Sequence, residues 1–198
     1  TGHPVKVHHK DTRHFTDCTF IDIGKRVPKE TKNRRGTSMR LAGLVTTLQR
    51  RTQRGHSVAI DDHTGRIEAF LSKEKYATYA DLLTKDTVIV IEGNVSFDDF
   101  FGGYRTSVNH IMTLAEAKAR FAKGVNIAVS GPDVSLCQTL ASTFSPYKNG
   151  SAPVFVHYRN QRARVTLELS REWNLKPCEV LFAALNELEP VKQAGLRF

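Results

Sequence analysis

Alternating apolar and polar positions between residues 39 and 114 predict a small β-barrel. The first predicted strand is long and contains Gly43, as expected where a barrel strand must bend. Helical spacing of Tyr76, Tyr79 and Leu83 predicts one helix over Lys73 to Leu83. Five strands surround this helix in sequence: Arg40 to Gln49, Ser57 to Asp61, Arg66 to Leu71, Val88 to Val95, and Thr106 to Ile111.

The order of these elements, three strands, a helix and two strands, is that of the oligonucleotide-binding (OB) barrel. A short helix over residues 115–124 is expected to connect this barrel to a small α+β domain at 125–190. The predicted fold class is therefore mixed β and α+β. Residues 1–38 are expected to form a basic segment and linker, with one strand at Phe15 to Ile23, and residues 191–198 are expected to be an unstructured tail.

Charge is concentrated at the start of the chain. The net charge is +9, and residues 1–60 hold 13 Lys and Arg against 4 Asp and Glu, whereas the remainder is balanced. This asymmetry indicates either a polyanionic partner or a solvated basic surface. The three cysteines are widely separated and form no CxxC pair, which fits a reducing cytoplasm. Because the chain opens on Thr1 and has no secretory signal, it is expected to be a piece of a longer protein.

Two loops of the predicted barrel carry residues suited to nucleic acid. In OB barrels the second and third strands, with the first-second and fourth-fifth loops, form the binding groove. The first-second loop is basic, the fourth-fifth loop is aromatic, and bases stack on such rings. Alternatively, one or two of the rings fill the end of the barrel, with Phe97 as the first candidate, and the arginines only keep their loop soluble. The candidate nucleic-acid-binding residues are Arg50, Arg51, Arg54, Arg66, Phe97, Phe100, Phe101 and Arg105.

Catalytic and metal-binding patterns are weak. Asp61-Asp62 and Asp98-Asp99 are paired carboxylates that a divalent-metal nuclease would need to bring together, but both pairs adjoin glycine turns, which favours a role in the turns. No nucleophile elbow, phosphate loop or zinc-ligand spacing is present. The chain is therefore expected to be non-catalytic, without a cofactor or bound metal, without a membrane span, and monomeric.

Several short segments form an ordered set along the chain. The most specific segment is Gly93-Asn94-Val95-Ser96-Phe97-Asp98-Asp99-Phe100 followed by Gly102-Gly103. The others are Arg40 to Val45, Asp61 to Glu68, and Glu116-Ala117-Lys118 with Arg120. Together these segments resemble the C-terminal part of the bacterial replicative DNA polymerase III alpha subunit. The opening Thr1-Gly2-His3-Pro4 also resembles the end of that family's preceding fingers and helix-hairpin-helix region.

This resemblance implies an OB domain that contacts single-stranded template DNA and a C-terminal domain that binds the tau subunit of the clamp loader. The polymerase site of such a protein, with its Mg-binding aspartates, would lie upstream of this chain. Within the last six residues, Gln193, Leu196 and Phe198 fit the QxxLxF pattern of peptides that bind the sliding clamp. The remaining alternative is an anticodon-type OB domain of an aminoacyl-tRNA synthetase, which would prefer RNA.

Overall fold

The computed structural model describes residues 12–29, 36–51, 55–130 and 135–198, with Arg50 and Arg51 described only as backbone. The chain divides into two compact units, 1–117 and 118–198. Within the described ranges, no helix is long and apolar enough to cross a membrane.

The first unit contains the predicted five-stranded barrel, which is confirmed. Its strands close in the order β1-β2-β3-β5-β4, with β3 and β5 parallel and the other neighbours antiparallel. Helix α2, Lys73–Tyr79, and a 3-10 turn, Ala80–Leu82, connect β3 to β4. The strands are β1 Thr37–Arg51, β2 Gly55–Asp61, β3 Arg66–Leu71, β4 Val88–Asp98 and β5 Gly103–Thr113.

Inward-facing side chains fill this barrel. Val58 and Ile60 of β2 alternate with residues of the outer face, and both are fully buried. On β3, Ile67, Ala69 and Leu71 point inward in the same way. On β3 the alternation that predicts the strand from sequence therefore also separates a packed interior from an exposed outer surface, whereas Ser57 and Ala59 on the outer side of β2 are also buried.

The predicted strand at Phe15 to Ile23 is wrong. That segment instead contains a 3-10 turn, Phe20–Asp22, and a short helix α1, Ile23–Arg26. Phe20, Ile23 and Val27 are buried in the barrel core, so the described part of the expected N-terminal linker belongs to the first unit. The spacing of these apolar residues matches a helical turn, and a closed barrel offers no free strand edge to a sixth strand.

The second unit is a four-stranded sheet packed against two helices. Helix α3, Leu114–Phe121, contains the boundary between the two units. The elements that follow it are β6 Gly124–Ser130, α4 Leu136–Phe144, β7 Lys148–Ala152, β8 Val154–Arg159, β9 Arg164–Glu168, α5 Glu179–Asn186 and β10 Val191–Arg197. The sheet has the order β10-β6-β8-β9, in which β6 and β8 are parallel and the remaining pairs antiparallel. Leu140 and Phe144 of α4 and Leu181 and Leu185 of α5 bury their side chains in the core of the unit.

The expectation of an unstructured C-terminal tail is also wrong. Strand β10 pairs antiparallel with β6, and the Lys123 N–H donates to the Arg197 carbonyl at 2.7 Å. Val191 and Ala194 are buried in the core of the unit. The tail is ordered because its apolar residues complete the sheet. Its partner strand β6 ends more than sixty positions earlier in the sequence.

Gly150 gives a stability prediction for this unit. Strand β7 bridges to Leu175 at both ends, and a β-carbon at Gly150 would collide with the Leu175 backbone. Gly150→Ala is expected to lower the unfolding free energy by about 3 kcal/mol, since backbone cannot yield as a side chain can. Urea titration followed by fluorescence of Trp173, the single tryptophan and a residue of this unit, measures the change.

The matched control is Gly195→Ala. A β-carbon there meets no heavy atom within 4 Å, so the stability should change by less than about 1 kcal/mol. Equal midpoints for the two variants would contradict the packing described around Leu175.

Candidate nucleic-acid interface

The outer face of β2 and β3 forms a mixed polar and aromatic surface. Arg66, Glu68 and Phe70 alternate outward along β3, opposite Asp61, Ala59 and Ser57 of β2. The guanidinium of Arg66 donates to the Thr47 hydroxyl of β1 at 3.0 Å. Arg66 is thus held on the face that the sequence predicts as the groove, with its side chain exposed.

Phe70 is a residue that the sequence interpretation missed. Its side chain is 41 % exposed and lies between Ser57 of β2 and Ser107 of β5 in the strand register. Its signal is present in the sequence, because Phe70 has the same strand parity as Arg66 and Glu68, which alternate against the buried residues. An exposed ring at this position adds a surface on which a base can stack.

The loop between β4 and β5 displays two further rings. Phe100 is 91 % exposed and Phe101 53 % exposed, and the rings meet edge to face with centroids 5.1 Å apart. The Asp98 carboxylate accepts the N–H groups of Phe100 and Phe101 at 3.0 and 3.1 Å, while Gly102 takes a positive φ of 65°. The loop is thereby ordered with its rings facing outward.

Arg105 supports this loop from β5. Its guanidinium donates to Asp98 at 2.7 Å and to Glu68 at 3.2 Å, and its central carbon lies 3.8 Å from the centroid of the Phe101 ring. The carboxylates of Asp98 and Glu68 therefore offset the positive charge of Arg105, which the sequence predicts to contact phosphate. The arrangement makes Arg105 a support for Phe101 as well as a candidate contact.

These contacts also act on the Asp98 carboxyl. Partial desolvation raises its pKa, but the hydrogen bonds from the Phe101 N–H, the Arg105 guanidinium and the Phe100 N–H together outweigh it, so that the pKa of Asp98 is lowered. The carboxylate is consequently ionised at neutral pH. Its contribution to the order of the loop is present above the ordinary carboxyl pKa and is lost only as the pH falls through the lowered value.

Phe97 differs from its two neighbours. It is half-buried, and its ring meets Tyr104 edge to face at 5.1 Å, with the Lys29 ammonium 5.3 Å from its centroid. The Tyr104 hydroxyl in turn donates to the Val27 carbonyl at 2.9 Å. This packing supports the alternative in which Phe97 closes the barrel end and leaves Phe100 and Phe101 as the displayed rings.

The basic loop lies largely outside the described residues. Arg54 lies outside the described residues, and the side chains of Arg50 and Arg51 do as well. Their predicted contact with phosphate stays a prediction. The structure does place the backbone of Arg50 and Arg51 at the end of β1, paired with His56 and Gly55 of β2, at one edge of the outer face.

The carboxylates of Asp61, Asp62 and Asp98 accept backbone N–H groups of their own turns. Buried Asp62 accepts the Phe20 N–H at 2.8 Å, the Thr64 N–H and hydroxyl at 2.9 and 2.7 Å, and the Gly65 N–H at 3.0 Å. The Asp61 carboxylate accepts the His63 N–H at 2.7 Å. Within the described ranges, no group of three or more His, Cys, Asp or Glu side chains could hold a metal.

The three residues of the clamp-binding pattern lie in or beside β10. Gln193 is exposed, whereas Leu196 and Phe198 are half-buried. Because side chains alternate along a strand, Gln193 and Leu196 face opposite sides of the sheet. The structure therefore does not bring the three side chains onto one surface.

Comparison with known proteins places both units. A family model described as "OB-fold nucleic acid binding domain" matches residues 39–114, and one described as "DNA polymerase III subunit alpha, C-terminal domain" matches residues 139–188. One solved structure that matches, a replication protein A heterotrimer bound to single-stranded DNA, has a TM-score of 0.38 at 14% identity, over 48% of this chain and 77% of that one.

Curated relatives match along the whole chain. The DNA polymerase III subunit alpha of Vibrio cholerae is 34% identical over 204 residues, covering 100% of this chain and 17% of that protein. That of Escherichia coli K12 is 30% identical over 204 residues with the same coverage. The chain thus spans about a sixth of these relatives. The resemblance found in the sequence is confirmed: this chain, an OB barrel followed by an α+β unit, is similar throughout to the C-terminal region of the bacterial DNA polymerase III alpha subunit.

Proposed function

We propose that this chain is a non-catalytic DNA replication module of the cytoplasm whose barrel holds single-stranded DNA. The observation that carries the proposal is the ordered loop of Phe100 and Phe101, whose rings project from the end of a face that also bears Phe70 and Arg66. Stacking on exposed rings favours unpaired bases over a duplex, because the base faces of a duplex are already stacked. The strand would bind with little sequence preference.

Charge supports the same proposal. The excess of Lys and Arg lies in residues 1–60, which include the whole β1–β2 loop. Cations at that end of the face would neutralise phosphates and release counterions, so binding should weaken steeply with added salt. The role of the chain is thus to guide a template strand, while Mg-dependent polymerisation belongs to other parts of the larger alpha subunits.

Fluorescence-anisotropy titration tests the barrel's substrate. The chain is titrated against labelled oligothymidylate, duplex DNA and oligouridylate of equal length at two salt concentrations. We expect preference for single-stranded DNA and a tighter complex at the lower salt. Preference for RNA would favour the anticodon-type alternative, and cleavage of DNA that requires magnesium would favour a nuclease; either result would replace the proposal.

For the second unit we propose the tau subunit of the clamp loader as partner. The proposal rests on the match of residues 139–188 to the alpha C-terminal domain. Calorimetric titration of the chain with tau should give a saturable complex, and the absence of heat at micromolar concentrations would count against it. Binding of the sliding clamp through Gln193, Leu196 and Phe198 stays a prediction, and it would require β10 to leave β6.

A further inference from the structure

A basic groove crosses the sheet of the second unit on the face away from its core. The inward residues of β6 and β8, such as Ile127 and Val156, pack against the helices, so their neighbours in sequence face the other way. The groove has a volume of about 440 Å³, and its polar lining consists of Ser130, His157, Arg159, Arg164, Thr166 and Lys192. We call these six residues the basic groove. Ala128, Val129, Tyr158 and Val165 of the same strands complete the lining.

The charge of the basic groove is of one sign. Arg159, Arg164 and Lys192 are exposed, and none of the residues that line the groove is Asp or Glu. Arg159 and Arg164 stand directly opposite each other in the β8–β9 register. Like charges in directly opposed positions destabilise a strand pair, so this sheet carries a cost that an anion bound between the two side chains would remove.

The residues around these cations are held in place. The Asn160 side chain accepts the N–H groups of Arg162 and Ala163 at 2.8 and 2.7 Å, which fixes the turn between β8 and β9. The His157 ring lies within hydrogen-bonding distance of Thr166 at 3.0 Å and of Asn126 at 3.1 Å. An ordered turn keeps the Arg159 and Arg164 backbones in place, so less backbone entropy is lost when an anion binds between their side chains.

We propose that the basic groove binds the phosphate backbone of nucleic acid, at a site separate from the barrel's outer face. Arg, Lys, Ser and Thr side chains are the groups that contact phosphate oxygens in protein complexes with nucleic acid, and all four types line this groove. An acidic protein segment would also pair with these cations, and the oligoglutamate measurement described below distinguishes it from nucleic acid. The His157 ring is engaged by Thr166 and Asn126 on both sides.

The salt dependence of binding tests the groove in the full chain. The variant Arg159→Gln/Arg164→Gln/Lys192→Gln removes three cations. The magnitude of the slope of log affinity for oligothymidylate against log salt should fall by about 2, because each phosphate contact on a single strand contributes about 0.7. The same fall is expected in a Phe100→Ala/Phe101→Ala background. The inference is thereby tested independently of the barrel's proposed function.

A control of equal charge is Lys123→Gln/Arg171→Gln/Lys176→Gln, three exposed cations of the same unit outside the groove, and it should keep the original slope. Arg159→Lys/Arg164→Lys should also keep the original slope, because it preserves both charges. Trp173 fluorescence verifies that every variant is folded. An unchanged slope in the groove variant overturns the proposal. A second result would also overturn it: oligoglutamate or tripolyphosphate binds through these residues while the salt slope for oligothymidylate stays unchanged. That result would assign the groove to an acidic protein or to small anions.

Discussion

Asp62→Ala is expected to lower the unfolding free energy of the first unit by about 3 kcal/mol, since it leaves several donors without their acceptor in a buried site. The Asp62 carboxylate accepts the N–H of Phe20, 42 positions earlier, as well as three donors from its own turn. It therefore ties the N-terminal segment to the barrel. Denaturation followed by far-UV circular dichroism, with Trp173 fluorescence recorded in parallel, separates this loss from any change in the second unit.

Its neighbour in the same turn provides the control. Asp61→Ala removes the hydrogen bond to the His63 N–H at an exposed position and should cost less than about 1 kcal/mol. Amide hydrogen exchange at Phe20 should accelerate only in the Asp62 variant. If both variants lost equal stability, the account of Asp62 as the anchor of the N-terminal segment would be wrong.

Phe100→Ala/Phe101→Ala is expected to weaken binding of single-stranded DNA at least tenfold. A stacked base contributes about 1–3 kcal/mol per ring by alanine substitution, and both rings are largely exposed, so that their removal should leave the stability of the barrel unchanged. Anisotropy titration with oligothymidylate measures the affinity, and thermal denaturation verifies the fold.

Two further variants distinguish stacking from a general loss of apolar surface. Phe100→Tyr/Phe101→Tyr keeps both rings and should bind like the parent chain. Ile21→Ala removes an apolar side chain that is 70% exposed elsewhere on the same unit, and it should also leave the affinity unchanged. Equal weakening by Ile21→Ala and the double alanine variant would remove the aromatic loop from the proposed interface.

The barrel could be predicted from sequence because local alternation determines it. The buried residues of β3, Ile67, Ala69 and Leu71, occupy every second position, and the turn residues from Asp61 to Gly65 mark where β2 ends. The segment at Phe15 to Ile23 shows why the same method fails elsewhere. Its apolar residues fit a short strand by composition, whereas the spacing of Phe20, Ile23 and Val27 also fits a helical turn, and the closure of the barrel by five other strands decides between the two.

Long-range pairing limited what could be predicted of the interface and the tail. Glu68 and Arg105 meet because β3 and β5 are parallel neighbours, a register that no local pattern contains. Strand β10 likewise depends on β6, which begins at Gly124, for its hydrogen bonds. Phe70 is different, since its outward direction follows from the alternation of β3 and could have been predicted from sequence.

Photocrosslinking of the full chain to oligothymidylate, followed by mass spectrometry of the peptides, tests most directly the claim that the barrel holds single-stranded DNA. We predict crosslinks within Phe97 to Arg105 and on β3 near Phe70. In the Phe100→Ala/Phe101→Ala variant, the crosslinks within Phe97 to Arg105 should be lost. A chain that binds oligothymidylate measurably but crosslinks at neither peptide would contradict the account.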